Sequence, residues 1–251
     1  MSKSSFKTEA DLCAAFLSRI GDEWTVYPET GGFDILLSRK DDGTQIGIEA
    51  KLALNAKVVS QILPAYRFEK EGPEYRAVLV PEGTGHDLRP VCDYLGITVI
   101  RVGTRKFWHR MEEREGVMFN PALPKSSFHD WEYEKWHEWM PLSRVLLPDY
   151  VPDVAAGKSS PVSLTPWKIK AIKLAILLET RPVTRADFLA LKLSASRWTD
   201  PGARWLERTP VGYVPGRGMP DFRAQHPTNY EQIKADAAEW MADAKLIGAA
   251  A

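Results

Sequence analysis

Between residues 24 and 52 apolar and polar positions alternate in three short runs, 24–29, 33–40 and 44–52, and a period of two marks strands with distinct faces. Before them, Leu12, Cys13, Phe16 and Ile20 recur at helical spacing, so a helix is expected over residues 8–20, with Glu9 on the same stripe. A helix over about 55–70, a strand over 75–81, a short helix over 86–95 and a strand over 97–102 follow, giving the order αβββαβαβ by about residue 103. Residues 104–163 lose this regularity. They are rich in aromatics and Pro, with a short helix expected over 128–140 and a linker over 152–161. Helical signals return at Thr165-Pro166, an N-cap followed by Pro at the first helical position, and at Thr184 with Asp187, a capping-box pattern. The expected organisation is an α/β domain over 1–105, a connector over 106–160 and a mainly helical domain over 161–251.

Asp42-Gly43 between two alternating runs predicts a two-residue hairpin turn, because a type I′ turn needs positive φ at both central positions. Positions summing to 85 then face each other, which sets Asp34 opposite Lys51 and Leu36 opposite Glu49. Asp34, Glu49 and Lys51 share one face, while Ile35, Leu37, Ile46, Ile48, Ala50 and Leu52 share the other.

Composition narrows the picture. The chain has 251 residues, 44% of them hydrophobic, enough for a substantial core. Its 33 Lys+Arg cancel 33 Asp+Glu, which excludes a general basic coat. The balance is uneven, however: residues 164–251 carry 13 Lys+Arg against 9 Asp+Glu, and residues 1–163 carry 20 against 24. Two distant cysteines, Cys13 and Cys92, argue against a disulfide framework or zinc knuckle and fit a reducing compartment. Without an apolar leader or a run of about 18 apolar residues, a soluble cytoplasmic protein with no membrane association is expected.

Two converging carboxylates, with Glu9 as a third, form an all-oxygen site suited to Mg²⁺ or Mn²⁺ and to phosphodiester hydrolysis, with Lys51 placed to orient water or take its proton. An ordinary cross-strand ion pair between Asp34 and Lys51 is the plainer alternative. Glu9, Asp34, Glu49-Ala50-Lys51 and the αβββαβ order, over residues 5–103, resemble the PD-(D/E)XK nucleases, the fold of many restriction enzymes, archaeal Holliday-junction resolvases and RecB-type nucleases. The resemblance implies a restriction-endonuclease-like core and a Mg²⁺-dependent (or Mn²⁺-dependent) DNA endonuclease. It implies Asp34, Glu49 and the Ala50 carbonyl on the metal, Glu9 assisting, and Lys51 activating water. Phe33 stands where the motif's name has Pro. Gln61 and Tyr66 are similar to the QxxxY element of RecB-type nucleases with one residue too many between them, which leaves Gln61 an auxiliary role. A non-catalytic nucleic-acid-binding or assembly protein on the same scaffold is the alternative function.

The remaining candidates carry less. His129 and His137 are too far apart along a helix to share a metal. Trp131, Trp136 and Trp139 stack on bases or pack a core, and His86 and Asp87 face the groove or open a helix. A helix opening at Thr165-Pro166 and carrying Ile169, Ile172, Ile176 and Leu177, a second over 184–191 and a short third over about 200–208, followed by a Gly-rich ribbon, resemble a winged helix, as in the end-cleaving nuclease subunit of some heteromeric transposases. That implies DNA contacts from Arg197, Arg204, Arg208 and Arg217. Docking of a protein partner is the competing role, and a homodimer or partner is expected if both strands are cut.

Overall fold

The computed structural model describes residues 6–64, 70–109, 112–125, 135–157, 163–244 and 246. The chain forms two compact units that exchange short segments: Met1–Leu147 with Val154–Pro161, and Pro148–Asp153 with Val162–Ala251.

The first unit is mixed α/β. Its elements run α1 (Glu9–Leu17), β1 (Trp24–Thr30), β2 (Phe33–Arg39), β3 (Gln45–Ala50), α2 (Ala56–Ile62), β4 (Tyr75–Pro81), α3 (Arg89–Tyr94), β5 (Thr98–His109) and β6 (Glu112–Asn120). The six strands lie side by side in chain order, with β3, β4 and β5 mutually parallel and the outer pairs antiparallel. Parallel central strands need cover on both faces. Leu12, Cys13 and Phe16 of α1 bury one face together with Ile35, Leu37, Ile46, Ile48 and Ala50. Val58, Val59 and Ile62 of α2 and Cys92 of α3 bury the other with Leu36, Val78 and Val80. The face assigned to Asp34 and Glu49 is therefore an interior face. β6 lies beyond the region expected to be α/β, because the aromatic and Pro-rich composition after residue 104 masked its alternation.

The turn between β2 and β3 differs from expectation. Ser38 pairs with Gln45 and Ile35 with Ile48, a register summing to 83, and residues 40–43 form a four-residue loop in which only Gly43 has positive φ. Asp42 is the cause. Its carboxylate accepts the Thr44 N–H at 2.9 Å and the Arg39 guanidinium at 2.6 and 3.0 Å, holding the loop open where a type I′ turn would need Asp42 at positive φ. A slip of two preserves the faces. Continued by one residue, the observed register sets Asp34 across from Glu49 instead of Lys51.

The second unit contains α4 (Pro166–Thr180), α5 (Arg185–Ala190), the hairpin β7 (Leu206–Thr209) and β8 (Gly212–Pro215), and α6 (Phe222–Gln225), α7 (Pro227–Ala235) and α8 (Ala237–Asp243). Thr165 caps α4, and Thr184 with Asp187 forms the expected capping box on α5. No third helix spans 200–208; Pro201-Gly202 turns the chain and Arg204 takes φ +50°, so Leu206 enters a strand. The ribbon tip lies at Pro210-Val211. The Gly-rich Gly216–Gly218 stretch instead presses on the backbone of 203–205, where Gly216 and Gly218 donate to the carbonyls of Trp205 and Arg204 at 2.8 Å each. Among the described residues no helix is long and apolar enough to cross a membrane.

Candidate active site

Thr8 places Glu9 at the first helical position: its hydroxyl accepts the Asp11 N–H while Asp11 accepts the Thr8 N–H, a reciprocal cap. Asp34, the second residue of β2, turns its carboxylate onto the neighbouring strand, accepting the Ala50 N–H at 2.8 Å. Lys51 follows β3, tied by its own N–H to the Leu79 carbonyl at 2.9 Å. Its ammonium donates to the Ala50 carbonyl at 2.9 Å and to Glu9 at 3.1 Å, and stands 3.7 Å from Asp34. The fold thus brings Glu9, Asp34, Ala50 and Lys51 into one cluster.

Glu49 completes it in an unusual state. It is only 6% exposed, and its carboxylate has no hydrogen bond or ion pair with any described residue. Burial and the neighbouring charge of Asp34 push its pKa up to about 7, against the opposing pull of Lys51. Burial alone would lower the pKa of Lys51, but the Glu9 hydrogen bond and the charges of Asp34, Glu9 and Glu49 carry it above its ordinary value. The ammonium therefore keeps its proton at neutral pH, which favours orienting a water over deprotonating one.

A residue absent from the sequence reading, Glu29, stands at the same place. It is the penultimate residue of β1, between the pairs Pro28–Ile35 and Thr30–Phe33 and across from Asp34, and adopts φ +49°. One carboxylate oxygen accepts the Gly157 N–H at 3.0 Å. Burial first and Asp34 second raise its pKa. The signal available in sequence was the acid immediately before Thr30-Gly31-Gly32, at a turn short enough to fold β1 onto β2.

No three Asp, Glu, His or Cys side chains among the described residues are close enough together to hold a metal ion. The Lys51 ammonium is inserted among the oxygens that would do so. The donor chemistry nevertheless suits a hard divalent cation: the groups are carboxylates and a carbonyl, and the Glu49 carboxylate has no hydrogen bond or ion pair among the described residues.

The other sequence candidates separate from this cluster. Gln61 is exposed on the last turn of α2 with no side-chain hydrogen bond to the site, and Tyr66, His129 and Trp131 lie outside the described residues. Trp136 and Trp139 pack, donating their indole N–H groups to the Ala122 and Gly96 carbonyls. Residues 135–140 are not an α-helix, and His86 and Asp87 open a 3-10 turn. In the second unit Arg197, Arg204, Arg208 and Arg217 are all exposed, and none has an ion pair or side-chain hydrogen bond among the described residues. Arg197 lies over the Trp167 and Trp205 rings at 5.0 and 5.3 Å. Arg217 is carried next to Arg204 by the docked Gly216–Gly218 backbone, away from the ribbon tip. Asp221 is committed to capping α6 through the Ala224 N–H, and Glu207 is exposed without pairing to any of these arginines.

Comparison with protein-family models, with curated proteins and with solved structures finds no match for this chain.

Proposed function

We propose that the chain is a divalent-metal-dependent DNA endonuclease of the PD-(D/E)XK kind, cleaving phosphodiester bonds at Glu9, Asp34, Glu49, Ala50 and Lys51. Arg197, Arg204, Arg208 and Arg217 supply backbone contacts to the DNA. The observation that supports it best is Glu49: the residue is 6% exposed and has no hydrogen-bond partner among the described residues, and beside other acids its carboxylate is costly to ionise unless a cation joins it.

Asp34, Glu49 and the Ala50 carbonyl would hold Mg²⁺ or Mn²⁺, which when bound polarises the phosphate and lowers the pKa of a water. The Ala50 N–H fixes the Asp34 carboxylate, so one peptide unit offers its N–H to a ligand and its carbonyl to the ion. Lys51 would leave the Ala50 carbonyl, remain protonated and direct the water toward phosphorus, with Glu9 steadying its ammonium. Cutting both strands from one site per chain calls for a second copy or a partner protein.

Cleavage of plasmid and oligonucleotide DNA with Mg²⁺ or Mn²⁺ tests this directly. Asp34→Ala should abolish cleavage and metal binding together, and Lys51→Ala should abolish cleavage while DNA affinity stays nearly intact. Full turnover in either variant sinks the catalytic reading. The seat of Lys51 on the Ala50 carbonyl favours the second reading, a non-catalytic nucleic-acid-binding scaffold, in which the lysine permanently replaces the ion.

A further inference from the structure

In the second unit Arg181, Arg223 and Lys234 each hold a carboxylate, that of Asp187, Glu231 and Glu179 in turn. Lys168 and Arg197 hold none among the described residues, yet both are fixed in place. Lys168, on the first turn of α4, lies over the Phe222 ring at 5.3 Å and donates to Gln225 Oε1 at 2.9 Å. Arg197 is laid over Trp167 at 5.0 Å and Trp205 at 5.3 Å, and its guanidinium donates to no described residue. Stacking occupies the face of the guanidinium and leaves its edge of N–H donors for a ligand. The two cations also act on each other: burial first and the Arg197 charge second lower the Lys168 pKa, and no carboxylate opposes them. Asp200 and Asp221, acids of the same stretch, are turned to the N–H groups of Gly202 and Ala224. Two like charges held rigidly without a counter-charge suit an anion that both can bind.

The surroundings narrow the choice of anion. Trp167, Trp205 and Phe222 are engaged with one another, with Trp198 or with the two cations, which favours a phosphate over a stacked base. A nucleic-acid backbone presents phosphates in succession. Arg204 and Arg217, unpaired among the described residues and brought together by the Gly218 N–H bond to the Arg204 carbonyl, offer further cations on the same stretch.

We propose that Lys168 and Arg197 form a phosphate seat for a nucleic-acid backbone, one that takes single strands and duplexes alike without reading bases. This rests on the DNA-binding part of the nuclease reading, adds Lys168 to its contacts and needs no metal.

The test is fluorescence anisotropy of the full chain in chelator, with oligo-dT and a mixed-sequence duplex as probes. Lys168→Met keeps the stem over Phe222 and removes the charge. It should weaken binding of both probes by roughly tenfold, with a parental thermal midpoint. The slope of log K against log salt should become shallower by ~0.9 on the duplex and ~0.7 on the single strand. Arg197→Gln should do the same, whereas Lys168→Arg, which keeps the charge, should retain the parental slope. Parental affinity and slope in both charge-removing variants would overturn the seat even in a chain that cleaves DNA. A poly-glutamate peptide that binds as tightly as oligo-dT of equal charge would overturn it in favour of an acidic protein partner. A parent that binds both probes through these two residues but never cleaves would leave the seat standing and sink the catalytic reading alone.

Discussion

Among the described residues Glu49 in the first unit and Asp187 in the second are both nearly buried carboxylates, and the two are treated in opposite ways. Asp187, 2% exposed, receives both nitrogens of the Arg181 fork at 2.6 and 2.9 Å and the Thr184 N–H. Burial pushes its pKa up, but the Arg181 and Thr184 hydrogen bonds prevail and hold it below the ordinary value. Glu49, 6% exposed, receives nothing, and burial with Asp34 beside it carries its pKa up to about 7. The first arrangement is what a carboxylate needs in order to stabilise a fold. The second disfavours the charged form of Glu49, a cost that the proposed cation would relieve.

Matched amide substitutions break this contrast most strongly. Glu49→Gln should lower cleavage by about 10³-fold, roughly 4 kcal/mol of barrier, yet leave the thermal midpoint in chelator equal or higher. Asp187→Asn should do the reverse, costing about 3 kcal/mol of stability by stranding Arg181. Equal destabilisation by the two would erase the distinction. Next in size is the pH dependence without metal. Glu49 titrates near ~4.3 unfolded and at about 7 folded, so its favourable contribution is complete below the unfolded pKa and is lost as pH rises through 7. Stability in chelator should therefore drop by about 2 kcal/mol between pH 5 and 8, and Glu49→Gln should flatten that slope. Asp187, with its folded pKa lowered, contributes above its unfolded pKa and loses that contribution on acidification, so the Asp187→Asn variant should lose the corresponding decline at low pH. Thermal melts across the pH range distinguish the two. The smallest effect repeats the contrast among arginines. Arg181 is paired, whereas Arg204 and Arg217 are not, so replacing the latter two by Ala should leave the midpoint unchanged. The slope of log K against log salt for duplex DNA should become shallower by ~0.9 per arginine. An unchanged slope would assign this surface to a protein partner.

Period-two alternation and helical stripes were enough to read the α/β character of the first unit, the caps on α4 and α5, and the gathering of Glu9, Asp34 and Lys51, while the Ala50 carbonyl came only from the resemblance. What sequence could not supply was long-range or conformational. The hairpin register depended on whether Asp42 would use its backbone for a tight turn or its side chain to bond Thr44 and Arg39, and both are local options for Asp. The partnerless state of Glu49 depended on α2 and α3 covering the far face of the sheet. For Glu29 sequence offered only an acid before a Gly-Gly turn, because the donor that fixes its carboxylate lies 128 positions away. The helices after Asp221 were legible in principle, since His226-Pro227 and the spacing of Tyr230, Ile233 and Trp240 mark them, yet the extended ribbon preceding them obscured the restart.

The exchange of segments between the units has a consequence in time. Ala156 and Gly157 belong to the first unit, and Asp153, which accepts the N–H groups of Thr228 and Asn229 and faces His226 Nδ1, belongs to the second. During synthesis the first unit therefore cannot close its core or engage Glu29 when residue 147 leaves the ribosome; it must wait for residue 157. By then the chain has already passed through the six residues that α7 will need when it emerges some seventy positions later. Neither unit corresponds to an uninterrupted stretch of message, and a cut placed anywhere from 148 to 161 deprives one unit or the other of a piece of its own fold.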